Sequence, residues 1–429
     1  LRRLVRRHRS ADRRRVRTVL SVDLIRQAAD HDAADRLGAF RELFEVNDDR
    51  IYLDGNSLGL MPRSVPGLLD DVTSRWARDA VLGWDTWLDR GLALGDHLAP
   101  IIGARAGEVA VCDQTSVNLY KLAAAALEAT GRRNIVTDAG NFPSDRYVLE
   151  ALARSRGGEL VVAPEDAGVD ELAPYLDTDT ALVALTHVAY RSGRMHDGAA
   201  VTSMAHASGA LMLWDLAHSA GAVRVDLAGW GADLAVGCTY KYLNGGPGSP
   251  GFLYVRSDHH ATLSQPIAGW FGHRDMFAFD AGYDPDPSIR RFMVGTPAIV
   301  SMAGTMAGIE ITARAGIEAI AAKATELTGM FMDGIAPLLG GDGLDLVTPR
   351  DPSKRGAHVA VRHDDGYRLS QALRAASVIV DFRAPDIVRF GFAPLYTTFG
   401  EVAAAVGILV DLVTSGSFRT GSATRRGVT

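Results

Sequence analysis

The sequence predicts an α/β protein: a large domain built on a mainly parallel sheet with helices on both faces, followed by a smaller α+β domain. Three observations carry this. Between residues 131 and 255, short strand-like runs alternate with helix-length segments. Several of those runs are continuously apolar, as strands covered on both faces are. At 429 residues the chain also exceeds one ordinary domain.

The first 20 residues hold nine arginines and one acid, a net +8 within an overall −6, which leaves −14 on the rest. This Arg-rich arm lacks the apolar run of a secretory signal and reads as an over-extended reading frame or a disordered tail. Residues 21–63 read as a polar amphipathic helical lead-in and a turn-rich segment, IYLDGNSLGLMP, that packs with the small domain. Residues 64–300 form the expected large domain. Its first part, 64–105, is helical and carries Trp76, Trp84 and Trp87 as core candidates. VAVCDQTSVNLYKLAAAALEAT (109–130) then reads as strand, polar turn and helix, with Thr115 and Ser116 at the helix start. Free amides and the positive dipole end there suit an anion such as phosphate.

The strand candidates that follow are 134–139, 159–164, 180–188, 210–218, 233–240 and 251–255. Ligands of such sheets gather at the carboxyl ends of the strands. The polar residues expected there are Asn141 to Asp145, Thr186, Asp215 with His218, and Tyr240 with Lys241. Residues 256–300 are an irregular link rich in aromatics. The small domain is expected over 301–416, ending in a helix at 399–414, and residues 417–429 as a disordered tail.

Lys241 stands out because the chain has only four lysines among 45 basic residues. Lysine differs from arginine in that its amine can lose a proton when desolvated and act as a nucleophile. Asp215, near the end of a neighbouring strand, can face it. A lysine, a carboxylate and a phosphate-binding helix start are the set that pyridoxal phosphate (PLP) requires. His218 can reach the cofactor oxygen, and Phe142 can cover the ring. Arg389, in an apolar strand, needs a partner, either a substrate carboxylate or a structural acid.

Other chemistry is excluded. Gly246, Gly248 and Gly251 match G-x-G-x-x-G, but Pro247 and Pro250 interrupt the motif and a strand follows where a helix is required. No ligand cluster for a metal is spaced correctly. Two cysteines, Cys112 and Cys238, make no disulfide framework and fit a cytoplasmic protein. No apolar run has the length of a membrane span, and the mild acidity offers nothing to nucleic acid.

Taken together, YLDGNSLGLMP, TSVNLYK, NFPSDRY, HVAYRSGRMHD, WDLAHSAGAVRVDL, CTYKYLNGGPGSPGFLYV, GWFGH and RFMVGTP resemble the kynureninase family, in that family's order, from about residue 40 to about 412. The resemblance implies a PLP enzyme of fold type I with a seven-stranded sheet, a homodimer with its site at the subunit interface. It implies hydrolysis of L-kynurenine, and of its 3-hydroxy analogue, to anthranilate or 3-hydroxyanthranilate and L-alanine in tryptophan catabolism. It places PLP on Lys241, with Asp215 at the ring nitrogen, His218 near the ring oxygen and Phe142 on the ring face. Pro143, Ser144, Asp145 and Thr186 belong to the cofactor shell. Thr115, Ser116 and Tyr240 hold the phosphate, completed by Trp270 and Thr296 of the second subunit. Tyr240 and Asp215 join Lys241 as catalytic residues. Arg389, Asn56, Ser57 and Gly295 contact substrate. Gly295 and Thr296 replace the Ser–Asn of animal members, which points to kynurenine over the 3-hydroxy form. The Arg-rich arm has no counterpart. The alternatives are another fold type I enzyme, an aminotransferase or a cysteine desulfurase-like lyase, and a non-catalytic binding module.

Overall fold

The computed structural model describes residues 22–279, 281–340 and 343–421. The Arg-rich arm at 1–20 and the end of the expected tail lie outside them. The chain divides into two compact units, one of residues 64–190 and 195–314, the other of residues up to 63, 191–194 and from 315 onward.

Thirteen strands are described. They are β1 Ile51–Tyr52, β2 Val109–Val111, β3 Asn134–Asp138, β4 Leu160–Ala163, β5 Thr180–Thr186, β6 Leu211–Asp215, β7 Leu234–Cys238, β8 Gly251–Val255, β9 Asp345–Leu346, β10 His358–Arg362, β11 Val378–Ile379, β12 Asp381–Arg383 and β13 Ile387–Gly391.

In the larger unit, seven strands form one sheet in the order β2-β8-β7-β6-β5-β3-β4. The pairs β3–β4, β3–β5, β5–β6 and β6–β7 are parallel. β5, β6 and β7 are the apolar runs TALVALT, LMLWD and LAVGC, and β5 and β7 are buried throughout. β8 alone runs backwards, antiparallel to β7 and β2. The reason is local. The segment between Cys238 and Gly251 contains no helix to carry a crossover, so the chain folds straight back, with Cys238 opposite Gly251.

Helix Met302–Ala315 belongs to this unit, so the division falls at 314/315 and not at 300/301. The cause is backbone contact. A Cβ at Gly308 would stand 1.8 Å from the Leu243 carbonyl oxygen, and one at Gly304 would stand 2.2 Å from that of Gly245. Thr305 also hydrogen-bonds Thr239 at 3.2 Å. The helix therefore seats directly on the loop that follows Lys241. Of the three tryptophans, Trp84 and Trp87 pack edge to face, whereas Trp76 is 62% exposed and is no core residue.

In the smaller unit, β12-β13-β10-β9 form an antiparallel sheet and β1 pairs with β11 in parallel. Helices Ile317–Gly334 and Phe399–Ser415 bury Phe331, Val402 and Val406 with Phe390 and Phe392. The last helix is started by a capping box of Thr398 and Glu401 and stopped by Gly416 at φ 66°. Ser417–Thr420, expected in the tail, form a 3-10 turn because Phe418 inserts into this core.

One buried carboxylate in the larger unit makes stability pH-dependent. Asp233, before β7, accepts hydrogen bonds from the Met212 amide (2.8 Å), His206 Nε2 (2.7 Å) and His259 Nε2 (2.8 Å). Burial opposes its ionisation, but the bonds from His206 and His259 outweigh it and hold the group well below the usual carboxylate range. The bond to Asp233 in turn raises His206 above its ordinary value. A raised folded-state histidine contributes its full stability below the unfolded value and loses it as pH rises through the folded one. Melting temperature should therefore fall on the alkaline side of about pH 6.5. His206→Asn should flatten that fall, as a melting series between about pH 6 and about pH 9 would show.

Candidate active site

The parallel strands β5, β6 and β7 end on one edge of the large sheet, which brings Thr186, Asp215 and Cys238 to the same side. Beyond that edge lies a cavity of about 280 Å³ lined by Thr115, Ser116, Phe142, Ser144, Asp145, Asp215, His218, Tyr240 and Lys241, with Gln114, Ala217, Cys238, Ser249 and Gly251.

Lys241 sits half-buried in the β7–β8 loop. That loop is held by the Thr239 hydroxyl, which bonds Ser249 Oγ (2.8 Å) and the Pro250 carbonyl (2.6 Å). Asn244 takes a left-handed φ of 55°, and its amide donates to the Lys241 carbonyl. Lys241 Nζ lies 3.3 Å from His218 Nε2 and over the rings of Tyr240 (5.8 Å) and Phe142 (5.9 Å).

Asp215, at the end of β6, is buried and accepts a hydrogen bond from the Ala217 amide (2.8 Å). Asp145, in the first turn of helix Pro143–Ser155, meets it. Burial, then the facing charge of Asp215, pushes the Asp145 carboxyl far above the usual range. Burial raises Asp215 too, but Lys241, the Ala217 amide and Asp145 favour its anion. The pair is best described as a neutral acid at 145 donating to a carboxylate at 215.

At the cavity's other end, helix Thr115–Thr130 starts with no side-chain cap on its first amides. Gly251 permits this end to form, since a Cβ there would stand 3.0 Å from the Thr115 nitrogen. An amine, a carboxylate pair and an uncapped helix start with two hydroxyls around one cavity fit the aldehyde, ring nitrogen and phosphate of PLP.

Not every expected residue lines this cavity. Thr186 donates to Asn141 Oδ1 (2.6 Å), which accepts the Phe142 amide (2.7 Å), so it braces the Phe142 turn from behind. Pro143 opens its helix at the first position. Trp270, Gly295 and Thr296 do not line it within one chain. Asn56, Ser57 and Arg389 belong to the smaller unit. There, Arg389 and Arg383 share Asp381 Oδ2 at 2.6 and 2.7 Å, and Ser57 donates to the same oxygen at 2.7 Å. Asp54 lies beside this cluster; burial and then the charge of Asp381 lift its carboxyl to about 6, against the opposing pull of Ser57, Arg389 and Arg383. Asn56 is fully buried against Gly391, and neither end of its amide meets a partner among the described residues. Sequence reading reached Asp54 only as part of the polar turn after β1, and missed Asp381 and Arg383. The one local signal was the alternation DFR in β12, which sets Asp381 opposite Arg389.

A kynureninase of Burkholderia pseudomallei is 46% identical over 409 residues, covering 93% of this chain and 98% of the relative. The chain belongs to the kynureninase family. The Pseudomonas fluorescens kynureninase is 45% identical over 394 residues, covering 89% and 94%. The model of the kynureninase C-terminal domain matches residues 320–409. Solved structures share the fold. A cysteine desulfurase from Thermococcus onnurineus superposes with a TM-score of 0.75 at 22% identity, covering 88% of this chain and 98% of that one. The cysteine desulfurase CsdA of Escherichia coli gives 0.74 at 19%, covering 89% and 98%. Desulfurase chemistry needs an exposed, ionisable thiol. Both cysteines here are buried, and burial pushes the Cys112 thiol up to about 11 and raises Cys238 as well. Among the described residues no helix is long and apolar enough to cross a membrane, and no cluster could hold a metal.

Proposed function

We infer that the chain is a PLP-dependent kynureninase that hydrolyses L-kynurenine to anthranilate and L-alanine. The observation that carries this is Lys241 facing the Asp145–Asp215 pair across one cavity, in a chain 46% identical to a kynureninase over nearly its whole length. PLP bound there supplies an electron sink for the carbanion formed at the substrate's Cα.

The residues divide the remaining work. The Lys241 amine would attach the cofactor and, when free, would accept the substrate's Cα proton. Asp215 keeps the ring nitrogen protonated, and Asp145 holds Asp215 in place by donating to it. His218 hydrogen-bonds the ring oxygen, and Phe142 covers the ring face. Thr115 and Ser116 bind phosphate with the helix amides. Tyr240, close to Lys241 Nζ, joins the phosphate shell and relays the proton that completes alanine. Arg389, buried and held by Asp381 and Ser57, binds the substrate carboxylate, with Asn56, whose amide meets no partner among the described residues, beside it. Trp270, Gly295 and Thr296 reach the site of a second copy in a cytoplasmic homodimer.

Incubation with L-kynurenine and PLP should release fluorescent anthranilate, and a parallel run with the 3-hydroxy substrate should give a lower kcat/KM. Transamination of a keto acid without anthranilate release would show a different fold type I enzyme.

A further inference from the structure

Lys121 has no place in the chemistry above, yet its side chain is completely buried in helix Thr115–Thr130. Its Nζ lies 2.5 Å from Asp113 Oδ2 and 2.7 Å from the Phe292 carbonyl oxygen. Both partners belong to segments that the site uses. Asp113 stands two residues before Thr115 in a left-handed conformation, φ 48°, a region aspartate enters more readily than most non-glycine residues. Its carbonyl accepts the Gly251 amide at 2.7 Å, so its backbone sets where the helix start meets β8. Phe292 leads into Met293–Thr296. A Cβ at Gly269 would stand 1.9 Å from the Val294 oxygen, so this stretch lies directly on the GWFG segment that carries Trp270.

A buried ion pair is weak evidence for stability, because an apolar side chain of similar volume commonly serves as well. Asp113 is itself 26% exposed at its side chain and could be solvated without a partner. What the charge adds is a fixed geometry: one ammonium joins the turn before Thr115 to the segment before Thr296. We propose that Lys121 is a positioning residue for the cofactor phosphate, holding Asp113 so that the first amides and hydroxyls of helix Thr115–Thr130 point into the cavity. This rests on the phosphate reading of Thr115 and Ser116.

The test titrates the full-length protein, freed of cofactor, with PLP and with pyridoxal, which lacks the phosphate, following the absorbance of the lysine-bound cofactor. Lys121→Met should weaken PLP by at least about tenfold while leaving pyridoxal within about twofold. The double variant Asp113→Asn/Lys121→Met, which buries no lone charge, should show the same selective loss should the single variant fold poorly. Equal loss of both ligands, or of neither, would reduce Lys121 to a structural residue and overturn the proposal. Thr115→Ala separates the two layers. If it leaves the preference for PLP over pyridoxal intact, the phosphate reading itself fails. If it erodes the preference and the Lys121 variants do not, only the role of Lys121 falls.

Discussion

Lys241→Ala is expected to abolish anthranilate release, by roughly 10⁴-fold or more in kcat, and with it the visible absorbance of lysine-bound cofactor. The size follows from the two tasks that converge on one amine, attachment of the aldehyde and removal of the Cα proton. Lys241→Arg should be nearly as inactive. It keeps the positive charge beside His218 and the aromatic rings, but a guanidinium neither condenses with an aldehyde nor gives up its proton. The arginine variant separates this reading from one in which Lys241 is only a half-buried strand-end charge. Residual turnover within tenfold of wild type in the arginine variant would show that charge, not nucleophilicity, is what the position supplies. Melting temperature controls for folding. Lys241 is half-exposed in a loop braced by Thr239 and Asn244, so neither substitution should cost more than about 1 kcal/mol.

The part of this site that could be read from the sequence is the part that local pattern determines. Apolar runs mark β5, β6 and β7, and a parallel strand order carries their polar ends to one edge, so the pairing of Asp215 with Lys241 is legible in the sequence. Thr186 shows the limit of that logic. It ends β5 on the correct edge, but its hydroxyl turns to Asn141, a choice made by a neighbour 45 positions away. The ionisation of Asp145 was equally hidden, since it depends on a second carboxyl 70 residues on and on burial that no motif encodes. The Arg389 cluster lies between these cases. A buried arginine demands a partner, but that Asp381 would be shared with Arg383 and Ser57 depends on strand register and on a loop more than 300 residues earlier. The division of the chain shifted for a similar reason: composition shows a helical stretch over 298–340, but the contacts of Gly304, Thr305 and Gly308 with the loop around Lys241 assign its first helix to the larger unit.

The facing carboxyls carry the second large effect. Asp215→Asn should lower kcat by on the order of 10³-fold, because an amide cannot hold the ring nitrogen protonated and the electron sink weakens. Asp145→Asn should stay within about tenfold of wild type, because an amide N–H can replace the acid's donated proton toward Asp215. The two substitutions are chemically identical and their sites adjacent, so a large asymmetry reports which carboxyl serves the ring nitrogen as an anion and which only supports it. Stability should move the opposite way. A folded-state pKa raised above the unfolded value means that Asp145 takes up a proton on folding, which costs increasingly as pH climbs from about 3.9 toward the folded value. Asp145→Asn removes that cost and should raise the melting temperature of the cofactor-free protein at neutral pH, with a gain that shrinks on acidification. An Asp145→Asn variant as inactive as Asp215→Asn, and no more stable than wild type, would mean that 145 carries the anion and that the assignment of acid and base within the pair is reversed.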